Sequence, residues 1–185
     1  HRPISQSYTF DNFSGGFVGI LAAEQTFSSS SWYQGTADAV RKNIIHFLNH
    51  DFDYALILSG DQLYRMNFRQ VLAQHEESKA DVTIATIPVD RVSATSLGIM
   101  QIDGARNIVR FVEKPKDPAV LDTLRLTPEA LRDFHIEGEG DRFLASMGIY
   151  VFNREVLLRL LDNDLTDFGK HIIPGTIGRE RVASY

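Results

Sequence analysis

The stretch Ile57-Leu58-Ser59-Gly60-Asp61-Gln62-Leu63-Tyr64 decides the fold, because it brings a carboxylate to the end of a buried strand. Residues 54–58 form a short, nearly unbroken apolar run, which is typical of a strand covered by helices on both faces. Ser59 and Gly60 end that strand, and Asp61 is the first charged residue beyond it. Ligands of open α/β sheets bind beyond the carboxyl ends of the strands, so Asp61 is well placed to hold Mg²⁺. On this stretch alone, Asp61 could equally cap a turn or the next helix.

The composition is that of an ordinary globular protein. At 185 residues, with 43% apolar and 23% charged residues, the chain fits one large domain. A net charge of -5 argues against a nucleic-acid-binding surface, and the absence of cysteine excludes disulfides and thiolate zinc sites. No apolar run is long enough to cross a membrane and no signal peptide opens the chain, so a cytoplasmic location is expected.

Strands and helices alternate along the chain, which predicts an α/β fold with βαβ units and a mixed, mostly parallel sheet flanked by helices. Asp103-Gly104 lies between two alternating runs and predicts the hairpin that makes the sheet mixed. Polar residues 115–142 are interpreted as an insertion or lid in a single domain, residues 1–185. The predicted strands are residues 17–23, 54–58, 81–89, 98–102, 108–113 and 143–152; the predicted helices are residues 37–48 and 67–77, a short one with Thr127 as N-cap and Pro128 in its first turn, and one that Asn153 caps and that ends at Leu161.

A possible nucleotide-binding motif, Trp32-Tyr33-Gln34-Gly35-Thr36-Ala37-Asp38-Ala39, lies where a loop becomes a helix. A Gly-Thr pair at a helix start lets a ligand approach exposed backbone N–H groups, and the neighbouring aromatic rings could stack on a base or sugar. Taken alone, this stretch is better explained by Thr36 acting as the N-cap behind a hydrophobic staple.

Phe111-Val112-Glu113-Lys114-Pro115 ends a strand with an acid and a base side by side. Pro115 is expected to stop the strand and to keep Lys114 extended. A lysine ammonium suits a phosphate and a glutamate can accept sugar hydroxyls, but a solvated strand end would carry the same residues.

Two further motifs follow. Leu144-Ala145-Ser146-Met147-Gly148-Ile149-Tyr150 has small residues that could admit a sugar close to the backbone or simply pack tightly. Asp167-Phe168-Gly169-Lys170 superficially looks like the magnesium motif of protein kinases, but the other kinase signatures are missing from the sequence. A dinucleotide-binding domain is also disfavoured, because the sequence has no Gly-x-Gly-x-x-Gly after a strand.

Taken together and in this order, the motifs resemble those of glucose-1-phosphate adenylyltransferases (ADP-glucose pyrophosphorylases). The resemblance extends from about Phe10 to the end of the chain and is weakest in residues 115–142. It implies a Rossmann-like nucleotidyltransferase fold and the reaction of ATP with glucose 1-phosphate to give ADP-glucose and pyrophosphate, with Mg²⁺, for glycogen or starch synthesis.

The resemblance also implies a role for each matching residue. Asp61 would bind the metal and be catalytic, and Lys114 would grip the phosphate of glucose 1-phosphate. The other expected substrate contacts are Glu113 and Ser146 on the sugar hydroxyls, Tyr33 and Gly98 on ADP-glucose, and Gly35 and Thr36 against the adenylate portion.

The chain also departs from the family pattern. The glycine-rich loop that cradles the triphosphate would precede it, while a second metal-binding Asp and the C-terminal β-helix used for assembly and allosteric control would follow Tyr185. We therefore expect a piece of a longer protein, inactive alone, whose parent is a cytoplasmic bacterial homotetramer. Two alternatives stay open: a sugar-1-phosphate nucleotidyltransferase using UTP or dTTP, and a regulatory paralogue that binds nucleotide sugar without turnover.

Overall fold

The computed structural model describes residues 16–21, 32–61, 63–137 and 140–185. Residues 16–21 adopt neither helix nor strand, so the strand predicted over residues 17–23 is not found in its described part, while residues 22 and 23 lie outside the description. None of the described helices is both long and apolar enough to cross a membrane.

Short helices and strands alternate along the described residues, as predicted. The helices are α1 (Thr36–Lys42), α2 (Ile44–Leu48), α3 (Phe68–Glu77), α4 (Arg91–Ala94), α5 (Pro118–Asp122), α6 (Pro128–Asp133), α7 (Arg154–Leu161) and α8 (Ile173–Thr176), the last preceded by a π-helical turn, Phe168–Ile172. The strands are β1 (Tyr54–Ile57), β2 (Val82–Val89), β3 (Gly98–Ile102), β4 (Ile108–Glu113), β5 (Phe143–Asn153) and β6 (Val182–Ser184).

The strands form one mixed sheet in the order β4-β3-β5-β2-β6, with β1 also paired to β5. Strand β5 has 11 residues and is the centre of this sheet. One of its edges pairs with β2, while the other edge pairs first with β3, at Leu144 and Ala145, and later with β1, from Tyr150 to Asn153. Two different strands therefore share one edge of β5, with an interval between them.

The mixed sheet flanked by helices is confirmed, but its pairing is less parallel than expected. In the described part of the sheet only β2 and β6 form a parallel ladder, and the other ladders are antiparallel. The reason is the place of β5: strands β1, β2, β3 and β6 share one direction, as alternating helices and strands suggest, but β5 runs the opposite way between them. Local sequence periodicity carries no information about this long-range insertion.

The predicted helices are correct in place but differ in detail. The single helix expected over residues 37–48 is broken at Asn43 into α1 and α2. Asn153 stands at the N-cap of α7, but its side chain makes no capping hydrogen bond. Its Oδ1 instead lies 2.9 Å from Nε2 of the buried His75, and its amide donates to the Ala80 carbonyl at 3.2 Å. This side chain thus links α3 to β5 rather than capping α7.

The core has two parts, and the predicted insertion contributes to one of them. The larger part packs α1, α7 and the π-helical turn on the sheet around Phe152 and Phe168. The smaller part includes Leu121 and Leu124 from residues 115–142, which pack against Phe143. A bridge of Arg91 to Asp122 and Asp141 adds charge pairing at the rim of the smaller part. Leu121, Leu124 and Leu126 of this segment are thus buried, while most of its other described residues are exposed or partly exposed. The interpretation of residues 115–142 as an insertion or lid stays a prediction.

Candidate active site in the cleft beside β5

An open cleft of about 840 Å³ lies where β1 and β3 leave an interval along the edge of β5. The carboxyl end of β1, the amino end of β3 and the carboxyl end of β4 all reach it. Of the predicted site residues, six line it together: Thr36, Asp61, Gly98, Glu113, Lys114 and Ser146. Two other predicted contacts, the described residues Tyr33 and Gly35, lie at the start of α1 without lining the cleft.

The floor of the cleft is a bulge in β5. Thr86 of β2 is paired with Ser146 and Ile84 with Tyr150, so three residues of β5 oppose one residue of β2. At the centre of this bulge Gly148 has φ 67°, a left-handed conformation that favours glycine, and its N–H donates to Ser146 Oγ at 3.2 Å. Bulges re-aim side chains next to functional sites, and this one holds Ser146 at the cleft.

Asp61 occupies the position predicted from its sequence, just beyond β1. Its side chain is exposed in the cleft and accepts a hydrogen bond from the Ser59 hydroxyl. The described residues include no group of three or more His, Asp or Glu side chains arranged to hold a metal ion. Among the described residues Asp61 therefore offers a single carboxylate, and an ion that it binds would need further oxygen ligands to complete its coordination.

Lys114 does not have the extended conformation expected before a proline. Its φ is 48°, and its N–H donates to the Leu97 carbonyl at 3.0 Å just after the end of β4. Positive φ in a residue other than glycine stores backbone strain of a kind that clusters at functional sites. The half-exposed ammonium group stays in the cleft, 3.7 Å from Glu113 Oε1.

Glu113 sits more tightly than a solvated strand end would require. A Cβ atom added to Gly98 would lie 2.9 Å from Glu113 Oε2 and 2.4 Å from the Phe111 ring, and one added to Gly169 would lie 3.1 Å from the same oxygen. Gly98 and Gly169, about 70 residues apart in the sequence, thus leave the space that the carboxylate fills. This explains Gly98 by packing, in addition to the ligand contact predicted for it.

Tyr150 joins the polar groups of the cleft and was not among the predicted site residues. Burial raises the pKa of its hydroxyl, the negative charges of Glu113 and Asp167 raise it further, and a hydrogen bond with the Ser146 side chain acts the other way. The net effect is a pKa above the usual 10.0, so the hydroxyl stays protonated and can donate a hydrogen bond in the cleft. Its only signal in the sequence was its place at the end of the Ser146 motif.

The start of α1 is committed to contacts within the protein. The Thr166 carbonyl accepts hydrogen bonds from Ala37 N at 2.9 Å and Asp38 N at 3.1 Å, so these helix N–H groups are not left exposed for a ligand. Gly35 is the N-cap, and a Cβ there would lie 2.4 Å from the Thr166 oxygen. The sequence left two interpretations of this stretch open, a ligand contact and Thr36 as the N-cap. The N-cap is Gly35 rather than Thr36, and the ligand contact stays a prediction.

The side chain of Asp38 anchors the same helix. Its Oδ2 accepts from Gln34 N at 2.8 Å and pairs with Lys42 Nζ at 2.9 Å. Burial pushes the pKa of this carboxyl up, but the bond from Gln34 and the charges of Lys42 and Arg41 outweigh it and hold the pKa below its usual value. Asn43 donates to the Tyr33 hydroxyl at 2.9 Å, which fixes the aromatic residue beside the helix.

Comparison with known proteins identifies a family and similar curated proteins. The nucleotidyl transferase family matches residues 2–185. The chain is 43% identical over 176 residues to "Glucose-1-phosphate adenylyltransferase 2" of Alkalilimnicola ehrlichii, an alignment that covers 92% of this chain and 38% of that protein. The chain thus spans well under half the length of this relative. The match over nearly the whole chain and the cleft built at its sheet show that the chain belongs to the nucleotidyl transferase family.

Proposed function

We propose that this chain forms the central part of the catalytic domain of an enzyme that transfers the adenylyl group of ATP to α-D-glucose 1-phosphate. The products are ADP-glucose and pyrophosphate, and the pathway is glycogen or starch synthesis. The observation that carries the proposal is the convergence of Asp61, Glu113, Lys114 and Ser146, from three separate motifs, on one cleft. The relative's name supports the choice of ATP and glucose 1-phosphate.

The reaction needs positioning and charge neutralisation more than covalent chemistry by the protein. A phosphate oxygen of glucose 1-phosphate attacks the α-phosphorus of ATP, and the bond from that phosphorus to the departing pyrophosphate breaks with its electron pair. Lys114 supplies a cation for the sugar phosphate. Glu113 at the end of β4 and Ser146 in the bulge of β5 both line the cleft, where they could bond sugar hydroxyls.

Asp61 supplies one ligand that suits Mg²⁺, but it does not complete the coordination of the ion by itself. An exposed carboxylate is the kind of ligand that Mg²⁺ takes from a protein when substrate phosphates supply the rest. When bound, the ion neutralises phosphate charge and polarises the phosphoryl oxygens. Asp61 is the residue that would hold it, and the Ser59 hydroxyl orients Asp61 through their hydrogen bond.

The nucleotide is proposed to bind beside α1. By the family resemblance, Tyr33 and Gly98 contact ADP-glucose, and the main chain of Gly35 and Thr36 lies against the adenylate. Thr36 and Gly98 line the cleft, which supports this placement. The full-length protein is proposed to be an allosteric homotetramer of the bacterial cytoplasm, and the isolated 185-residue chain is expected to be inactive.

The test is turnover by the full-length protein with Mg²⁺, glucose 1-phosphate and ATP, UTP or dTTP in turn. We expect strong preference for ATP and a loss of several orders of magnitude in kcat for Asp61→Asn. Asp133→Asn is the matched control, because Asp133 is exposed at the end of α6 and outside the cleft. Preference for UTP or dTTP would assign another sugar nucleotidyltransferase, and ADP-glucose binding without turnover would assign a regulatory paralogue.

A further inference from the structure

Residues 167–169 form a wall of the cleft that is fixed to α1. Asp167, Phe168 and Gly169 all line the cleft, and Phe168 is also anchored in the core, with its ring 5.7 Å from that of Tyr150. Just before them, the Thr166 carbonyl receives the two hydrogen bonds from the start of α1. The wall is therefore held at its base by the main chain of a helix more than 120 residues away in sequence.

The Thr36 hydroxyl makes the second attachment. It accepts a hydrogen bond from Phe168 N at 3.2 Å and lies 3.5 Å from Asp167 Oδ2, a long and weak contact. Asp167 Oδ1 accepts in turn from Lys170 N at 2.9 Å, which closes the turn that begins the π-helix. Both contacts of the Thr36 hydroxyl are thus made to the wall.

The wall in turn touches the group proposed to bind sugar. A Cβ on Gly169 would lie 3.1 Å from Glu113 Oε2, so the Gly169 backbone and this carboxylate are neighbours. The charge of Asp167 is close enough to raise the pKa of Tyr150. A small displacement of residues 167–169 would therefore change the position of Glu113 and the field at Tyr150 together.

We infer that Thr36 is a positioning residue for the sugar side of the cleft, acting through residues 167–169 on Glu113. The inference rests on the proposed function and deepens it. Thr36 belongs to the motif expected to face the nucleotide, yet its hydroxyl makes both contacts with the wall formed by residues 167–169. The loss of this hydroxyl affects the handling of glucose 1-phosphate and leaves that of ATP unchanged.

The experiment compares three variants of the full-length protein. Thr36→Val removes the hydroxyl at almost constant volume, and Thr36→Ser restores it. Thr123→Val is the control, because the exposed Thr123 hydroxyl also makes two hydrogen bonds, with Arg110 at 2.9 Å and with the Val120 carbonyl at 2.6 Å, but does not line the cleft. KM is measured for each substrate at saturating concentrations of the other, with the midpoint of thermal unfolding beside it.

We expect Thr36→Val to raise KM for glucose 1-phosphate by about threefold to tenfold, as the loss of one hydrogen bond allows. KM for ATP should change by less than about twofold, Thr36→Ser should restore both values, and Thr123→Val should change neither. A rise in KM for ATP alone, or an equal rise for both substrates, would overturn the inference. So would no change in either.

A second measurement separates failure of this inference from failure of the proposed function. If the wild-type protein turns over no ATP, the proposed function fails, but calorimetric binding of glucose 1-phosphate to wild type and Thr36→Val still tests the positioning. Weaker binding in the valine variant and recovery in the serine variant would support the inference. Equal binding in all three would refute it.

Discussion

The close approach of α1 to residue 166 predicts a specific cost for Gly35→Ala. The backbone of Gly35, with φ 167°, is extended and open to any residue, so the need for glycine comes from space alone. A Cβ would lie 2.4 Å from the Thr166 carbonyl oxygen and 3.0 Å from its carbon. Both are backbone atoms, so rotation of a side chain cannot relieve the contact.

The magnitude follows from the movement that the methyl group requires. Ordinary van der Waals contact begins near 3.4 Å, so the two segments must separate by about 1 Å. That separation would stretch the bonds from Ala37 N and Asp38 N, now 2.9 Å and 3.1 Å, beyond hydrogen-bonding range. Two lost bonds cost about 2 kcal/mol. Reduced entropy of the unfolded chain with alanine returns roughly 0.4–1 kcal/mol, leaving a net loss of roughly 1–2 kcal/mol.

The assay is thermal unfolding of the full-length protein, with Gly104→Ala as control. Gly104 lies in the hairpin turn, where a Cβ would meet nothing within 4 Å. A domain of this size loses about 2–4 °C in Tm for each kcal/mol, so Gly35→Ala should melt roughly 2–8 °C lower. The control should stay within about 0.5 kcal/mol of wild type. If Gly35→Ala melts at the same temperature as wild type and the Gly104→Ala control, the proposed steric requirement is wrong.

Three other substitutions test the core and the cleft. Asn153→Ala should destabilise the protein by about 1–3 kcal/mol in chemical unfolding, because it leaves a ring nitrogen of buried His75 without its partner; an unchanged unfolding midpoint would contradict this role. Leu124→Ala, at a side chain 1% exposed, should cost about 2–5 kcal/mol if residues 115–142 are part of the core, and a loss below about 0.5 kcal/mol would show them to be dispensable. The raised pKa of Tyr150 stabilises the folded state fully below pH 10.0, the unfolded value, and this contribution is lost as pH rises from there through the folded pKa. Unfolding free energy measured at pH 9 and pH 11 should therefore fall less in Tyr150→Phe than in wild type, and an identical fall in both would show that Tyr150 does not contribute.

The local elements were predictable because their signals are local. The hairpin around Asp103-Gly104, the N-cap at Thr127 and the strand before Asp61 all depend on a few neighbouring residues, and all three are found in the structure. The burial expected for the strand before Asp61 was wrong, because none of the four residues of β1 is buried. The direction of β5 between β1 and β2 was not predictable from these signals. It depends on pairings between residues about 100 positions apart, which periodicity does not encode.

The candidate site also has residues that the sequence identifies and contacts that it does not. The polar residues at strand ends, such as Asp61 and Lys114, could be named from sequence, since their motifs place them next to predicted strand termini. The packing role of two glycines was not predicted. Gly35 makes room for the backbone of Thr166, which is distant in sequence, and Gly98 makes room for the ring of Phe111 on the neighbouring strand. The ligand and metal contacts predicted for all the site residues, Asp61 and Lys114 as well as Tyr33, Gly35 and Thr36, stay predictions.

The central place of β5 has a consequence for how the protein folds. Tyr54 pairs with Asn153, and Ile99 with Ala145. Strands β1 and β3, which border the cleft, can therefore pair with β5 only after this later strand has been synthesised. Loop closure over such distances makes folding slow, and until β5 arrives β1 and β2 lack it as a partner, as does the edge of β3 that does not pair with β4. The cleft thus exists only once the whole sheet has assembled. Substrates that bind in the cleft bind only the completely folded sheet, so they would also raise the free energy of unfolding.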